Sequence, residues 1–251
     1  IISNANVFLP NSKIEETDIG IFNSKISMIG DLSRKTCKKK LNAKNLLILP
    51  GAIDTQVHFR EPGLTHKEDI KSGTKGAILG GITSIFEMPN TNPSTTTSEA
   101  IKQKLNIAKQ NAYCNYSFFI GAAKENIENL KNLELLEGCC GVKIFMGSST
   151  GDLLVEDDES LRKILLSGKR RVAVHSEDEY RLRERKSLLN SKDISVLEHP
   201  VWRDTQTAVS STQRLLKIAK ETGRKIHVLH ISTSDEISIL LPFKEGFSKK
   251  N

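Results

Sequence analysis

The stretch LLILPGAIDTQVHFREPG, residues 46–63, sets an apolar run against a cluster of Asp54, Gln56, His58, Arg60 and Glu61 that closes on a Pro-Gly turn. Apolar residues followed by polar ones only at the far end read as a buried strand whose C-terminal end opens on a site. The arrangement recurs along the chain in ITSIFEMPN, which ends at Asn90, in GVKIFMG from Lys143, in RRVAVHSED at His175 to Asp178, and in KIHVLHIST at His230 to Thr233. YSFFIGA supplies a further apolar strand. Helical patterns lie between them: KEDIKSGTKGAILGG, SEAIKQKLNIAKQN, DDESLRKILLSG and TAVSSTQRLLKIAKETG. Alternating strands and helices predict an α/β fold with a parallel sheet. Polar residues at the C-terminal ends of five strands favour a (β/α)8 TIM-like barrel, which keeps its chemistry at that rim, over an open sheet with one switch point.

Eight strands close such a barrel, and the sequence accommodates about six. The residues from Thr233 to Asn251 are too few for two more, and the chain starts at Ile1 rather than Met. LLPFKEGFSKKN drifts into a polar tail, so both ends are expected to be cuts through a longer chain. Two open barrel edges are expected to leave this piece poorly stable and prone to aggregation. Residues 1–48 alternate in short strands, NANVFLP and DIGIFNSKISMIG, punctuated by Asn, Gly and Ser, and are expected to form a small N-terminal β unit ahead of the barrel residues 49–251.

Composition narrows the functional classes. Hydrophobic residues make up 37% and charged residues 27% of the 251 positions, which fits a globular enzyme. No apolar stretch approaches the roughly 20 residues of a membrane span, and no secretory leader is expected. The four cysteines show no CxxC spacing, and Cys139 and Cys140 are adjacent, which points to a reducing cytoplasm. The net charge of +7 comes from scattered clusters (CKKKL, GKRR, RLRERK) without interleaved aromatics, a solvated surface rather than a nucleic-acid footprint.

His58, His175 and His230 each close an apolar strand and make up half of the six histidines. One histidine so placed is ordinarily a satisfied core residue. Three at equivalent strand ends can reach a common point on the barrel axis, where imidazole suits zinc. His227 lies three residues before His230, so strand alternation puts the two on opposite faces, and His230, nearer the C-terminal end, is expected to point inward. Lys143 has two readings. It is a surface or salt-bridged lysine, or an inward amine whose pKa burial depresses. A neutral amine takes up carbon dioxide to become a carbamate, an anionic oxygen ligand able to bridge two metals. Arg60 and Asn90 offer a fork donor and an amide suited to a carboxylate. Their alternative is that Arg60 pairs with Glu61 or Glu68 and Asn90 caps a turn in PNTNP.

Taken together, DTQVHFREPGLTHKEDIKSGTKGAILGGITSIFEMPNTNP, then GVKIFMGSSTG, VAVHSED, EHPVWR and HVLHIST in order, resemble the dihydroorotases of the amidohydrolase superfamily. The resemblance covers nearly the whole chain, and FREPG with MPNTNP is its specific pair. Allantoinases and hydantoinases share the scaffold and the later histidines but differ around the arginine and asparagine. The resemblance implies a barrel of the metal-dependent hydrolase type, with residues 1–48 as part of a composite β-sandwich. It implies reversible conversion of L-dihydroorotate and N-carbamoyl-L-aspartate in pyrimidine biosynthesis, with one or two zinc ions. His58 then belongs to an HxH pair on one zinc, and Lys143 is a carboxylated lysine bridging two. His175 and His230 hold the second zinc, and Arg60 and Asn90 hold the substrate carboxylate. A homo-oligomer or aspartate carbamoyltransferase is the partner so implied.

Two departures from that pattern bear on function. Gln56 stands where the first histidine of the HxH pair is expected, and amide is a weaker zinc ligand than imidazole. The family's general-base aspartate, near the end of strand eight, is expected beyond Asn251. The alternatives are therefore a catalytically impaired homologue that serves as a structural partner of aspartate carbamoyltransferase, or a hydrolase of the hydantoinase or allantoinase type.

Overall fold

A computed structural model describes residues 1–147, 152–189 and 195–248. Two compact units divide between Ala52 and Ile53, four residues after the boundary expected from sequence.

The first unit is a small sheet. Strand β1 (Ile2–Phe8) pairs antiparallel with β2 (Ile14–Phe22), and β2 with β3 (Lys25–Gly30). The short strands β4 (Leu41–Asn42) and β5 (Leu47–Ile48) run parallel to β1. Asn23 and Ser24, with φ of 49° and 61°, form a two-residue hairpin turn whose positive φ angles match the twist of the flanking strands. Alternation along β1 turns Ala5 and Val7 inward against Ile19 and Ala43. The buried Asp18 accepts from the backbone N–H groups of Asn4 (2.9 Å) and Leu32 (3.1 Å).

The second unit carries the strands expected from sequence, except that the run LLILPGAIDTQVH, residues 46–58, read as one buried strand, divides. Leu47–Ile48 pairs with β1 in the first unit, Leu46, Leu49 and Ile53 are exposed, and only Ala52–Val57 joins the larger sheet. The strands of that sheet are β6 (Ala52–Val57), β7 (Ile82–Glu87), β8 (Asn115–Gly121), β9 (Cys139–Phe145), β10 (Val172–His175) and β11 (Ile226–Val228). They lie in sequential order in one sheet that curls as a half barrel, with parallel pairing from β7 through β11. Sequential parallel order requires crossovers, which helices α1 (Ile70–Leu79), α2 (Ser98–Asn111), α4 (Asp158–Leu166) and α7 (Thr205–Thr222) supply. Shorter helices α3 (Leu130–Leu133), α5 (Glu179–Arg185) and α6 (His199–Trp202) interrupt the connections. Of the segment read as drifting into a polar tail, residues 240–248 belong instead to helix α8 (Ser234–Ser248), which runs through Pro242.

Each long crossover helix starts on a side-chain cap: Asp69, Thr97, Asp157 and Asp204 accept backbone N–H groups of the first turn. The core between sheet and helices is apolar, with Ile85, Phe118, Ile120, Val142, Ile144 and Val172 from the strands meeting Ile101, Leu161, Ile164 and Leu215 from the helices. Gly73 lets α1 approach the β6 exit closely, since a Cβ there would lie 2.4 Å from the Phe59 ring. No described helix is long and apolar enough to cross a membrane. All four cysteines are free.

Candidate metal and carboxylate site

The C-terminal ends of β6 and β7 bring together the first cluster. His58 follows β6 directly, and its Nδ1 is 2.8 Å from Asn90 Oδ1. An amide oxygen can only accept, so the ring carries its proton on Nδ1 and leaves Nε2 with a free lone pair. Burial, then the charge of Arg60, pushes the His58 pKa down to about 4, so the ring is neutral at physiological pH. The Arg60 guanidinium reaches back across the strand ends, with Nη1 donating to the Asn90 carbonyl at 3.2 Å. Glu61 and Glu68 do not take that guanidinium. Glu61 accepts from the Ile70 N–H at 2.8 Å and Glu68 from the Ser72 hydroxyl at 2.5 Å, both at the start of α1.

The ends of β10 and β11 carry the second cluster. His175 Nδ1 and His230 Nε2 are 2.9 Å apart. On the far side of its ring, His175 Nε2 is 2.7 Å from Glu177 Oε2, and Glu177 is ion-paired with Arg203. Burial pushes the Glu177 carboxyl upward, but the His175 bond and Arg203 outweigh it and hold it below the ordinary value. Gly147 makes room for this carboxylate's backbone, since a Cβ there would lie 2.7 Å from Glu177 Cβ. His230 lies beyond β11 with φ of 37°, so strand alternation does not set its direction. Desolvation, then His175 and Lys143, lowers its pKa.

Lys143 joins the two clusters. It is 1% exposed on β9, one strand over from His175, and its Nζ has no hydrogen-bond partner among the described residues. Its Nζ stands over the Phe145 ring, 4.2 Å from the centroid. Burial alone drives its pKa well below the ordinary lysine value. This excludes the surface and salt-bridge readings. A positive charge on Lys143 would lower the pKa of both His58 and His230, so the amine is within electrostatic reach of both rings. Ser148 to Gly151, the rest of the motif that begins at Gly141, lie outside the described residues.

These features bear on whether a metal fits. Among the described residues no three His, Cys, Asp or Glu side chains gather into a site by themselves. The candidate donor group is two imidazoles 2.9 Å apart and an amine on the adjacent strand. Two imidazole nitrogens on one tetrahedral zinc stand about 3.3 Å apart, given zinc–nitrogen distances of 2.0–2.1 Å. The 2.9 Å between His175 and His230 is close to that spacing. A carboxylate on the outer ring nitrogen, as Glu177 provides, is the usual orienting partner of a metal-bound histidine. A buried amine with no partner is costly unless something neutralises or caps it. The donor set fits a metal if Lys143 contributes an anionic oxygen. Gln56 follows a different pattern: its backbone N–H donates to Asp54 Oδ1 at 3.0 Å.

Sequence reading missed Glu177 and Arg203 as partners of the site, although both fall in the quoted motifs VAVHSED and EHPVWR. The two-residue offset from His175 is the signal that could have found Glu177.

The amidohydrolase family profile matches residues 47–244. The chain is similar to a dihydroorotase of Methanosarcina mazei, 35% identical over 254 residues that cover 100% of this chain and 55% of the relative. It is also similar to an allantoinase of Rubrobacter xylanophilus, 30% identical and covering 92% of this chain and 52% of the relative. Among solved structures, a dihydropyrimidinase from Brevibacillus agri superposes with a TM-score of 0.86 at 27% identity, covering 98% of this chain and 54% of that one. The L-hydantoinase of Arthrobacter aurescens superposes at 0.89 with 24% identity, a likeness of fold, over 98% of this chain and 55% of that one. The chain spans about half the length of the curated relatives it matches. On the match across residues 47–244, the chain belongs to the amidohydrolase family.

Proposed function

We propose that this chain carries the metal-binding and carboxylate-binding half of a zinc-dependent dihydroorotase, which interconverts L-dihydroorotate and N-carbamoyl-L-aspartate. The observation that carries the reading is the 2.9 Å approach of His175 Nδ1 to His230 Nε2, with Lys143 buried on the neighbouring strand and its Nζ without a hydrogen-bond partner among the described residues. Lys143, as its carbamate, and the two imidazoles are the ligands of one zinc. His58 and the shared carbamate are the protein ligands of a second, weaker position. When bound, the metal polarises the ring amide carbonyl and lowers the pKa of the attacking water. Glu177 orients His175 and keeps its outer nitrogen engaged. Arg60 and Asn90 hold the substrate carboxylate, the guanidinium by a two-pronged contact and the amide by its NH2. The Asn90 amide oxygen accepts from His58 Nδ1, so the NH2 is the part of this side chain that can donate to a carboxylate.

The test is turnover by a full-length version loaded with zinc. Hydrolysis of L-dihydroorotate, with little on hydantoin or allantoin, is the expected result. The reverse preference would move the substrate to the hydantoinase or allantoinase class. Gln56 favours one second reading, a non-catalytic partner of aspartate carbamoyltransferase. Co-purification with the transferase, no bound zinc and no turnover would support it.

A further inference from the structure

We infer that Glu236 is a positioning residue for the metal site: through Thr233 and Thr212 it ties the loop that carries His230 to the strand end that carries His175, and so sets the separation of the two imidazoles. The inference rests on the reading above, in which those imidazoles are zinc ligands. Glu236 lies in the first turn of α8 and is 3% exposed. Its Oε1 accepts from the Thr212 hydroxyl of α7 at 3.0 Å, and its Oε2 accepts from the Thr233 hydroxyl at 2.9 Å. Thr233, three residues after His230, in turn accepts the Glu236 backbone N–H at 3.2 Å. Thr212 reaches the other ligand, for its hydroxyl is 2.9 Å from that of Ser176, the residue after His175. Ser176 also donates to the Ser211 hydroxyl at 3.0 Å, and Ser211 donates to the Met146 sulfur at 3.7 Å. The Met146 N–H donates to the His175 carbonyl at 2.9 Å, so the exit of β9, three residues past Lys143, joins the same network.

The direction of the bonds follows from the carboxylate. It can only accept, so Thr212 gives its single proton to Glu236 and is left to accept from Ser176. Packing is a poor account of this arrangement. Ser176, Ser211, Thr212 and Glu236 are all buried, and apolar residues would fill the space without desolvating a carboxylate. The partners of Glu236 are two neutral hydroxyls rather than a cation. Capping of α8 accounts for the Thr233 side of the carboxylate, whereas the Oε1 bond crosses to α7 and serves no cap of its own helix. What the hydroxyls and the carboxylate supply is a directional link from the β10 exit to the loop after β11. That loop requires one. β11 stops at Val228, and His230 holds a φ of 37°, in the left-handed region that a residue with a Cβ keeps only where its surroundings over-determine it. Glu236 touches neither metal nor substrate in this scheme; it acts through His175 and His230.

Three variants test the link. Ser176→Ala cuts it at the His175 end and leaves both Glu236 oxygens their threonines. Thr212→Val cuts it at α7 and leaves the Thr233 cap in place. Thr212→Ser keeps the hydroxyl. In the metal-free chain, nitrogen NMR signals of the two histidine rings read the hydrogen bond between His175 Nδ1 and His230 Nε2. Titration with cobalt(II) reads metal affinity, and its visible absorption reads the ligand arrangement. Both cuts should weaken the ring-to-ring hydrogen bond, alter the cobalt spectrum and lower cobalt affinity about 10- to 100-fold, the range for outer partners of metal ligands. Thr212→Ser should keep the wild-type values. A folded Thr212→Val or Ser176→Ala protein that only melts lower, with ring signals, spectrum and affinity unchanged, overturns the inference. If Thr212→Val does not fold, Ser176→Ala decides alone. A Thr212→Ser protein that behaves as Thr212→Val does would also overturn it, because the hydroxyl would then not be what matters. A wild-type chain that binds no cobalt removes the metal reading, while the ring signals of the metal-free variants still decide the positioning role.

Discussion

Lys143 is the residue on which the site turns, because it is the one member of the group that chemistry must alter before it can bind a metal. Its burial, with no hydrogen-bond partner among the described residues, pushes its pKa well below the ordinary lysine value and so toward the neutral amine, the form that reacts with carbon dioxide. Gln56 sets the balance between the two positions. The position built from Lys143, His175 and His230 has three protein ligands, the number that suits a catalytic zinc, whereas His58 has only the carbamate and a weak amide beside it. Zinc content after mild chelation should therefore be about one per chain. Gln56→His should raise it toward about two, and Lys143→Ala should bring it near zero because the shared ligand is gone. Two equally tight zinc ions with Gln56 in place, or a Lys143→Ala protein with its full load, would refute this asymmetry. At His58 the pKa of about 4 works against that asymmetry but does not supply the missing ligand, since a neutral ring is already in the form a metal accepts.

Helix caps fix the strand ends that frame these residues, and α7 shows how. Asp204 accepts the Thr207 N–H at 3.0 Å and its hydroxyl at 2.7 Å, and it pairs with Arg181 through two bonds at 2.9 and 2.5 Å. Arg181 belongs to α5, so one carboxylate caps α7 and ties it to the helix that follows the His175 strand. Asp204→Ala should cost about 1–2 kcal/mol of stability, the range for a lost N-cap, read from urea unfolding. The Arg181 bonds and the Thr207 donors hold the Asp204 carboxyl well below the ordinary range. The unfolded chain therefore takes up that proton first, and the stabilisation is complete above about pH 4 and fades as pH falls below it. The difference between wild type and Asp204→Asn should shrink over that acid range; a gap unchanged down to pH 2 would contradict the assignment.

The elements themselves were legible because their signals are local. Strands buried on both faces give unbroken apolar runs, and the crossover helices begin on Asp or Thr and keep an apolar stripe. What escaped was set by tertiary contact. Pro242 and Gly246 argue against a helix interior, yet α8 forms through them. The parity argument for His230 fails because β11 stops at Val228. Lys104 forms a buried ion pair with Glu87, of which only its three- and four-residue spacing from Ile101 and Ala108, on the buried face of α2, gives a local sign. Its partner Glu87 is 17 residues away on another element, a distance no local pattern spans.

Across the whole molecule, the metal site is also a fastening. Lys143, His175 and His230 come from β9 and from the ends of β10 and β11, three consecutive strands of the curled sheet. A ligand that binds only the folded arrangement adds its binding free energy to folding. At free zinc about 100 times the dissociation constant this amounts to about 2.7 kcal/mol. For a chain of this size that shifts the melting temperature by roughly 5–10 °C. The zinc-loaded chain should melt higher than the same chain treated with a chelator, and bicarbonate should be needed for the full shift, since the carbamate is the third ligand. Lys143→Ala should show almost no response to zinc, even though removing a buried amine that has no hydrogen-bond partner among the described residues is itself expected to raise the stability of the metal-free protein. A zinc-dependent shift of equal size in wild type and Lys143→Ala would mean that the metal binds elsewhere, and no shift in either would remove zinc from the account of this site.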